Sequence, residues 1–314
     1  MLRVPDGIKI LLACWALILV IPASAQAHDR LKVVTSFSIL ADMVSHLGGD
    51  HVEVYSLVGA QGDVHVYQPR PEDAKRLAQA DLLVINGLDF EGWIPRLIKA
   101  SAYRGPIVVA SDGVPLLLTE SAHNDDILGD HAKSIDPHAW QSLANARVYA
   151  DNIVAGLIAV DSAHREFFET SKRRYQDQLD VLDQRIRTQL ATIPLNRRQV
   201  LASHRAYAYF AAAYGVRFVA AVGMNKLSEP SAKEIAALIE QIRSANIKVA
   251  FVENISDQRL LKQIVRETGC RIGGQLYADS LSGPEGPAAS YLLMMTHNLE
   301  TLIAALSADA AQVH

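Results

Sequence analysis

Short runs of aliphatic and β-branched residues alternate along the chain with longer stretches in which apolar residues recur every three or four positions. In the first half the runs are Leu31–Thr35, Val52–Val58, Leu82–Ile85 and Ile107–Ala110; in the second they are Gln199–Ala202, Arg217–Val222, Lys248–Val252 and Arg271–Leu276. Most positions within them are apolar rather than alternating, the mark of strands covered by helices on both faces of a largely parallel sheet. The same rhythm on both sides of the chain's middle predicts an α/β protein of two similar lobes.

A different pattern separates the halves. From Ala163 to Ile193 the positions Phe167, Ser171, Tyr175, Leu179, Leu182, Ile186, Leu190 and Ile193 trace one helical face, while Arg, Lys, Asp and Gln fill the others. No Gly or Pro interrupts the stretch before Pro194. The pattern therefore predicts a single helix from Asp161 or Ser162, about 30 residues and roughly 45 Å long. Such a spine, over residues 161–193, would join an N-terminal lobe (28–160) to a C-terminal lobe (194–314) and hold lobe motion to loops around a site. Pro71 and Glu72 are placed to be the first residues of a helix running to Ala80, and Ser231 with Glu234 has capping-box spacing for a helix through Arg243. The polar stretch Ser121–Ile135 is expected to be a mobile loop.

The N-terminus belongs to neither lobe. Arg3 and Lys9 precede the apolar run Ile10–Ile21, followed by Pro22 and Ala25-Gln26-Ala27, which together read as a secretory signal peptide over residues 1–27. The 12-residue run is short of the roughly 20 residues of a membrane-spanning helix. Leu11-Leu12-Ala13-Cys14 loosely resembles a lipoprotein box, but the apolar run continues past Cys14, which makes lipidation the lesser reading. Cleavage leaves Cys270 as the one thiol and excludes an intramolecular disulfide despite an oxidising destination. With apolar Ile272 nearby, Cys270 reads as a buried small hydrophobe.

The 314 residues are half apolar and one-fifth charged, as in ordinary globular proteins, and they carry a net charge of −4 with no basic block, which argues against a nucleic-acid partner. Motifs of common enzymes are missing: the chain has no G-x-S-x-G, H-E-x-x-H or P-loop, and no G-x-G-x-x-G after the first strand. What remains is a scattered set of donors. His65 follows the second strand in Asp63-Val64-His65-Val66-Tyr67-Gln68-Pro69, and His138 lies in Asp136-Pro137-His138-Ala139-Trp140. His204 follows the first strand of the second half, and Asp279 its last strand, in Tyr277-Ala278-Asp279-Ser280. Ligands of open α/β sheets bind beyond the carboxyl ends of the strands, where His65, His204 and Asp279 fall; His138, ahead of a helix, is less marked by pattern. Three imidazoles and a carboxylate suit tetrahedral Zn²⁺, with two donors from each half. Separations of about 70 residues obey no local ligand-spacing rule, so spacing alone leaves the convergence open.

At these residues the chain resembles the metal-specific substrate-binding proteins of bacterial ABC importers, the zinc and manganese group. The likeness runs in order through Val33-Val34-Thr35-Ser36-Phe37, the His65 motif, Asn86-Gly87-Leu88-Asp89-Phe90-Glu91-Gly92-Trp93, the His138 motif, Ser203-His204 with Tyr209-Phe210 and Tyr214-Gly215, Glu229-Pro230-Ser231, and the Asp279 motif. The resemblance implies two α/β lobes on a long backbone helix, metal buried between them, and His65, His138, His204 and Asp279 as ligands. It implies a periplasmic carrier without enzymatic activity that hands Zn²⁺ to an ABC permease and its ATPase. It would act as a monomer, with a periplasmic metallochaperone as a further candidate partner. Members that carry manganese or iron usually have Glu at the third ligand position, so His204 resembles the zinc members. Members relying on three histidines often lack a carboxylate ligand, which keeps water as the alternative to Asp279.

Asp63, Asp136 and Glu229 lie near the ligand motifs and could orient imidazoles or serve as caps. Trp93 and Trp140 read as packing residues. His123 and His131, with Asp125, Asp126 and Asp130, offer a small accessory metal-gathering loop or a merely solvated one. A manganese or iron carrier of the same fold is the alternative function. A secreted zinc hydrolase, with a carboxylate acting as general base on bound water, is a weaker one, and nothing specific supports a surface adhesin.

Overall fold

A computed structural model describes residues 30–120, 133–222, 231–255 and 258–308. The proposed signal peptide, His123, His131 and Glu229 lie outside these residues. The first lobe contains β1 (Leu31–Phe37), α1 (Ser38–Gly48), β2 (Val52–Val58), α2 (Pro71–Ala78), β3 (Leu82–Ile85), α3 (Ile94–Ser101), β4 (Ile107–Val109), β5 (Leu118–Glu120) and β6 (Lys133–Ile135). Helices α4 (Leu143–Val160) and α5 (Arg165–Ala191) follow. The second lobe adds β7 (Gln199–His204), α6 (Ala208–Tyr214), β8 (Arg217–Val222), α7 (Ala232–Ser244), β9 (Val249–Glu253), α8 (Gln258–Thr268), β10 (Arg271–Leu276) and α9 (Tyr291–Ala308).

Both main sheets are parallel and share one strand order. The first runs β2-β1-β3-β4 and the second β10-β9-β7-β8, which is the same 2-1-3-4 order when each lobe is counted from its own first strand. Apolar strands such as Leu82–Ile85 are thus buried between helical layers, as their composition dictates. Among the described residues no helix is long and apolar enough to cross a membrane.

The spine helix α5 has 27 residues, about 40 Å, and is preceded by a separate 3-10 turn at Ser162–His164. It is therefore shorter than the periodicity suggests. Its buried face is Phe168, Tyr175, Leu179, Leu182, Ile186 and Leu190, whereas Phe167 is 39% exposed. Two adjacent phenylalanines gave the pattern two ways to begin, and the turn ahead of α5 selects the second. The helix packs against α1, α4, α6 and α9, so one hydrophobic core runs through both lobes. A second cluster, with Leu201, Ile242, Ile264 and Cys270, fills the outer side of the second sheet. Cys270 is buried there and its thiol donates to the Ile247 carbonyl.

Local signals also operate. Pro71 opens α2, where Asp73 accepts the Arg70 N–H, and the Ser231 hydroxyl and Glu234 carboxylate exchange backbone bonds at the start of α7. The stretch expected to be a loop through Ile135 is in part a sheet, since β6 pairs antiparallel with β5. Strands of three residues hold too few positions to show a period of two.

Candidate metal centre

Four loops and strand ends converge between the lobes. His65 lies beyond the end of β2, His138 between β6 and α4, His204 at the last position of β7, and Asp279 three residues after β10. Their ligand atoms all lie within 4.8 Å of one another. His65 Nε2 is 3.2 Å and His204 Nε2 3.0 Å from Asp279 Oδ2, while His138 Nε2 is 3.6 Å from Oδ1. The side chains are almost fully buried, with His65 the most accessible at 5%. None of the three Nε2 atoms makes a properly aligned hydrogen bond. Buried ring nitrogens in that condition are costly unless a further group takes them up.

The local sequence aims these rings. His65 and His138 each stand two residues after an aspartate whose Oδ1 accepts the histidine backbone N–H, at 3.0 Å from Asp63 and 2.9 Å from Asp136. These are Asx turns, which fix the loop locally. Asp136 Oδ1 also accepts from the His138 ring at Nδ1, at 2.8 Å, which leaves Nε2 for the cluster. The bond described for Asp63 is to the backbone of His65, not its ring.

For His204 the equivalent partner is Glu253, the fully buried last residue of β9, which accepts from His204 Nδ1. Sequence reasoning missed this residue. Its signal was a charge closing the otherwise apolar run Val249-Ala250-Phe251-Val252, at the same carboxyl edge of the sheet as His204.

The electrostatics follow from burial and neighbouring carboxylates. Burial lowers the pKa of His65, with Asp279 opposing. Burial also works against charge on His204, but Glu253 and Asp279 outweigh it and raise that imidazole to about 9. Phe90 wraps the apolar side of the site, with its ring edge-on to His65 at 5.0 Å and to His138 at 5.7 Å. Trp93 and Trp140 are buried in the core without being ligands, yet both indoles donate into the ligand loops, Trp93 to the Val64 carbonyl and Trp140 to the Ala278 carbonyl.

Two parallel-sheet lobes on a helical spine, enclosing three imidazoles and a carboxylate that could hold a metal ion, define a metal-binding protein. The chain belongs to the family described as zinc-uptake complex component A, periplasmic, which matches residues 33–305. Members are metal-binding substrate-binding proteins of ABC importers, which work with a permease and an ATPase and are not enzymes. The manganese ABC transporter substrate-binding lipoprotein PsaA of Streptococcus pneumoniae is 33% identical over 291 residues, spanning 91% of this chain and 92% of that one. The iron-binding protein YfeA of Yersinia pestis is 32% identical over 278 residues, spanning 88% and 87%. The periplasmic zinc-binding protein TroA of Treponema pallidum superposes with a TM-score of 0.80 at 25% identity, over 88% of this chain and 99% of that one.

Proposed function

We propose that the protein captures Zn²⁺ outside the cytoplasmic membrane and delivers it to its ABC permease, with His65, His138, His204 and Asp279 as ligands. The observation that carries this reading is the donor set: three buried, unbonded imidazole nitrogens converging on one carboxylate. Imidazole is a borderline donor that suits zinc, whereas manganese and magnesium favour oxygen-rich sites. Four protein ligands leave no open position, as in a holding site rather than a hydrolytic one. Binding replaces the ion's hydration shell with these ligands and expels any proton held on them.

Export through a cleaved leader at residues 1–27 fits this role, as does a division into a lobe at 28–160, a linking helix at 161–193 and a lobe at 194–314. Asp136 and Glu253 orient two of the ligands, and His123 and His131 offer an accessory metal-gathering loop. The names of the relatives favour a second reading, a manganese or iron carrier using the same four residues.

The test is elemental analysis of stripped protein offered equimolar Zn²⁺, Mn²⁺ and Fe²⁺. One retained zinc per chain, lost in His204→Ala, is expected. Retained manganese or iron would select the second reading.

A further inference from the structure

Three of the four cluster residues share a device that lies outside the cluster. Each is preceded by a residue whose carbonyl accepts a hydrogen bond from a buried side chain of the first lobe. Trp93 Nε1 donates to Val64, ahead of His65, at 3.0 Å, and Asn86 Nδ2 donates to Pro137, ahead of His138, at 3.0 Å. Ala278, ahead of Asp279, receives two such bonds, from Trp140 Nε1 at 2.8 Å and Gln141 Nε2 at 2.9 Å. His204 instead sits in the strand ladder of β7, paired with Val222 of β8.

The Ala278 arrangement crosses the lobes. Trp140 and Gln141 stand two and three residues after His138, yet they grip the peptide beside Asp279, 137 or more positions away. The same segment is fastened again where the Leu281 N–H donates to Ser38 Oγ at 3.1 Å and its carbonyl accepts from the Gln61 N–H at 3.1 Å. The Tyr291 N–H, opening α9, donates to Asp42 Oδ2 at 2.8 Å. Asp279 is thus fastened to both lobes, because Asn298 of α9 brackets the Tyr277 peptide, accepting from its N–H at 2.9 Å and donating to its carbonyl at 2.7 Å. The Asp279 segment therefore bridges the lobes, tied to the first beside His138, whereas His204 stands in the second sheet.

Gln141 is fully buried, and its amide oxygen makes no hydrogen bond. A methionine there would pack without the desolvation cost of an unsatisfied carbonyl. The polar side chain is therefore explained by its bond to Ala278. We propose that Gln141, assisted by Trp140, is a positioning residue that fixes the Asp279 carboxylate against His138 across the boundary between the lobes. This rests on the ligand reading above.

The test is a double-mutant cycle on the full chain, with Zn²⁺ affinity measured by competition against a chromophoric chelator. Gln141→Met should weaken Zn²⁺ binding about 10- to 100-fold when Asp279 is present, as loss of an orienting partner does. In the Asp279→Ala background the same substitution should change affinity by less than about twofold, because the group it positions is gone. Trp140→Phe, which keeps the ring and removes the donor, should show the same coupling and serves if Gln141→Met does not fold. Equal losses in both backgrounds, or no loss in either, would overturn the positioning role while leaving Asp279 a ligand. An Asp279→Ala protein that binds Zn²⁺ as tightly as the parent would instead overturn the ligand reading and the inference with it.

Discussion

Glu253, at the end of β9, accepts a hydrogen bond from Nδ1 of His204, at the end of β7, and thereby turns His204 Nε2 toward Asp279 Oδ2 at 3.0 Å. A carboxylate on the far nitrogen fixes the tautomer and raises the basicity of the nitrogen that faces the metal. Glu253→Ala is expected to lower Zn²⁺ affinity about 10- to 100-fold. Glu253→Gln, which still offers an acceptor oxygen, should lose less. Chelator competition measures both, and nitrogen NMR of the imidazoles should report His204 protonated at Nδ1 in the zinc-loaded parent.

Metal binding should be linked to protons through His204. In the metal-free protein burial disfavours its charge, but Glu253 and Asp279 prevail and raise its pKa to about 9, so at neutral pH the ring carries a proton that a metal ion bound at Nε2 would have to displace. His65, shifted down by burial, sheds its proton well before that. The sign follows: affinity rises by about tenfold per pH unit from pH 7 toward 9 and levels off above it, with about one proton released per zinc at pH 7. Calorimetry in buffers of different ionisation enthalpy counts that proton. A flat affinity between pH 7 and 9 would mean that His204 is neutral in the metal-free protein or is not displaced.

The close approach of β10 to α9 is made possible by Gly273. A Cβ there would lie 2.5 Å from Val249 Cγ1, 2.8 Å from Ala305 Cβ and 2.9 Å from Phe251 Cε1. Ala305 is part of α9 and has no flexible end to give way. Gly273→Val should lower unfolding stability by about 1–3 kcal/mol, the usual cost of overpacking. Because the Asp279 segment is also fastened to the first lobe, Zn²⁺ affinity should change far less than stability does. Denaturant unfolding and chelator competition on the same sample separate the two.

Much of this architecture was legible in the sequence because it is written locally. The eight main-sheet strands announce themselves as apolar runs, the spine as a period of three to four, and α7 as a capping box. The motifs of His65, His204 and Asp279 follow strands, where α/β folds place ligands, whereas that of His138, ahead of a helix, was less marked. The illegible parts are those decided at long range. Glu253 meets His204 across 49 positions and Gln141 meets Ala278 across 137, and no periodicity encodes such pairs. The start of the α5 face at Phe168 rather than Phe167 was hidden because both residues satisfy the same spacing until the turn at Ser162–His164 is known. Trp93 and Trp140 were legible as core residues, but their donation to ligand loops depends on which carbonyl the fold brings to the indole.

The central claim, that His65, His138, His204 and Asp279 together hold one zinc ion, is tested most directly by anomalous diffraction. Crystals of stripped protein offered equimolar Zn²⁺, Mn²⁺ and Fe²⁺ would be measured on both sides of the zinc absorption edge. The account predicts one anomalous peak that vanishes below the zinc edge, about 2.0–2.1 Å from each of the three Nε2 atoms and about 2.0–2.2 Å from an Asp279 oxygen. A peak that persists below the zinc edge, or one that lies away from these four side chains, would contradict it.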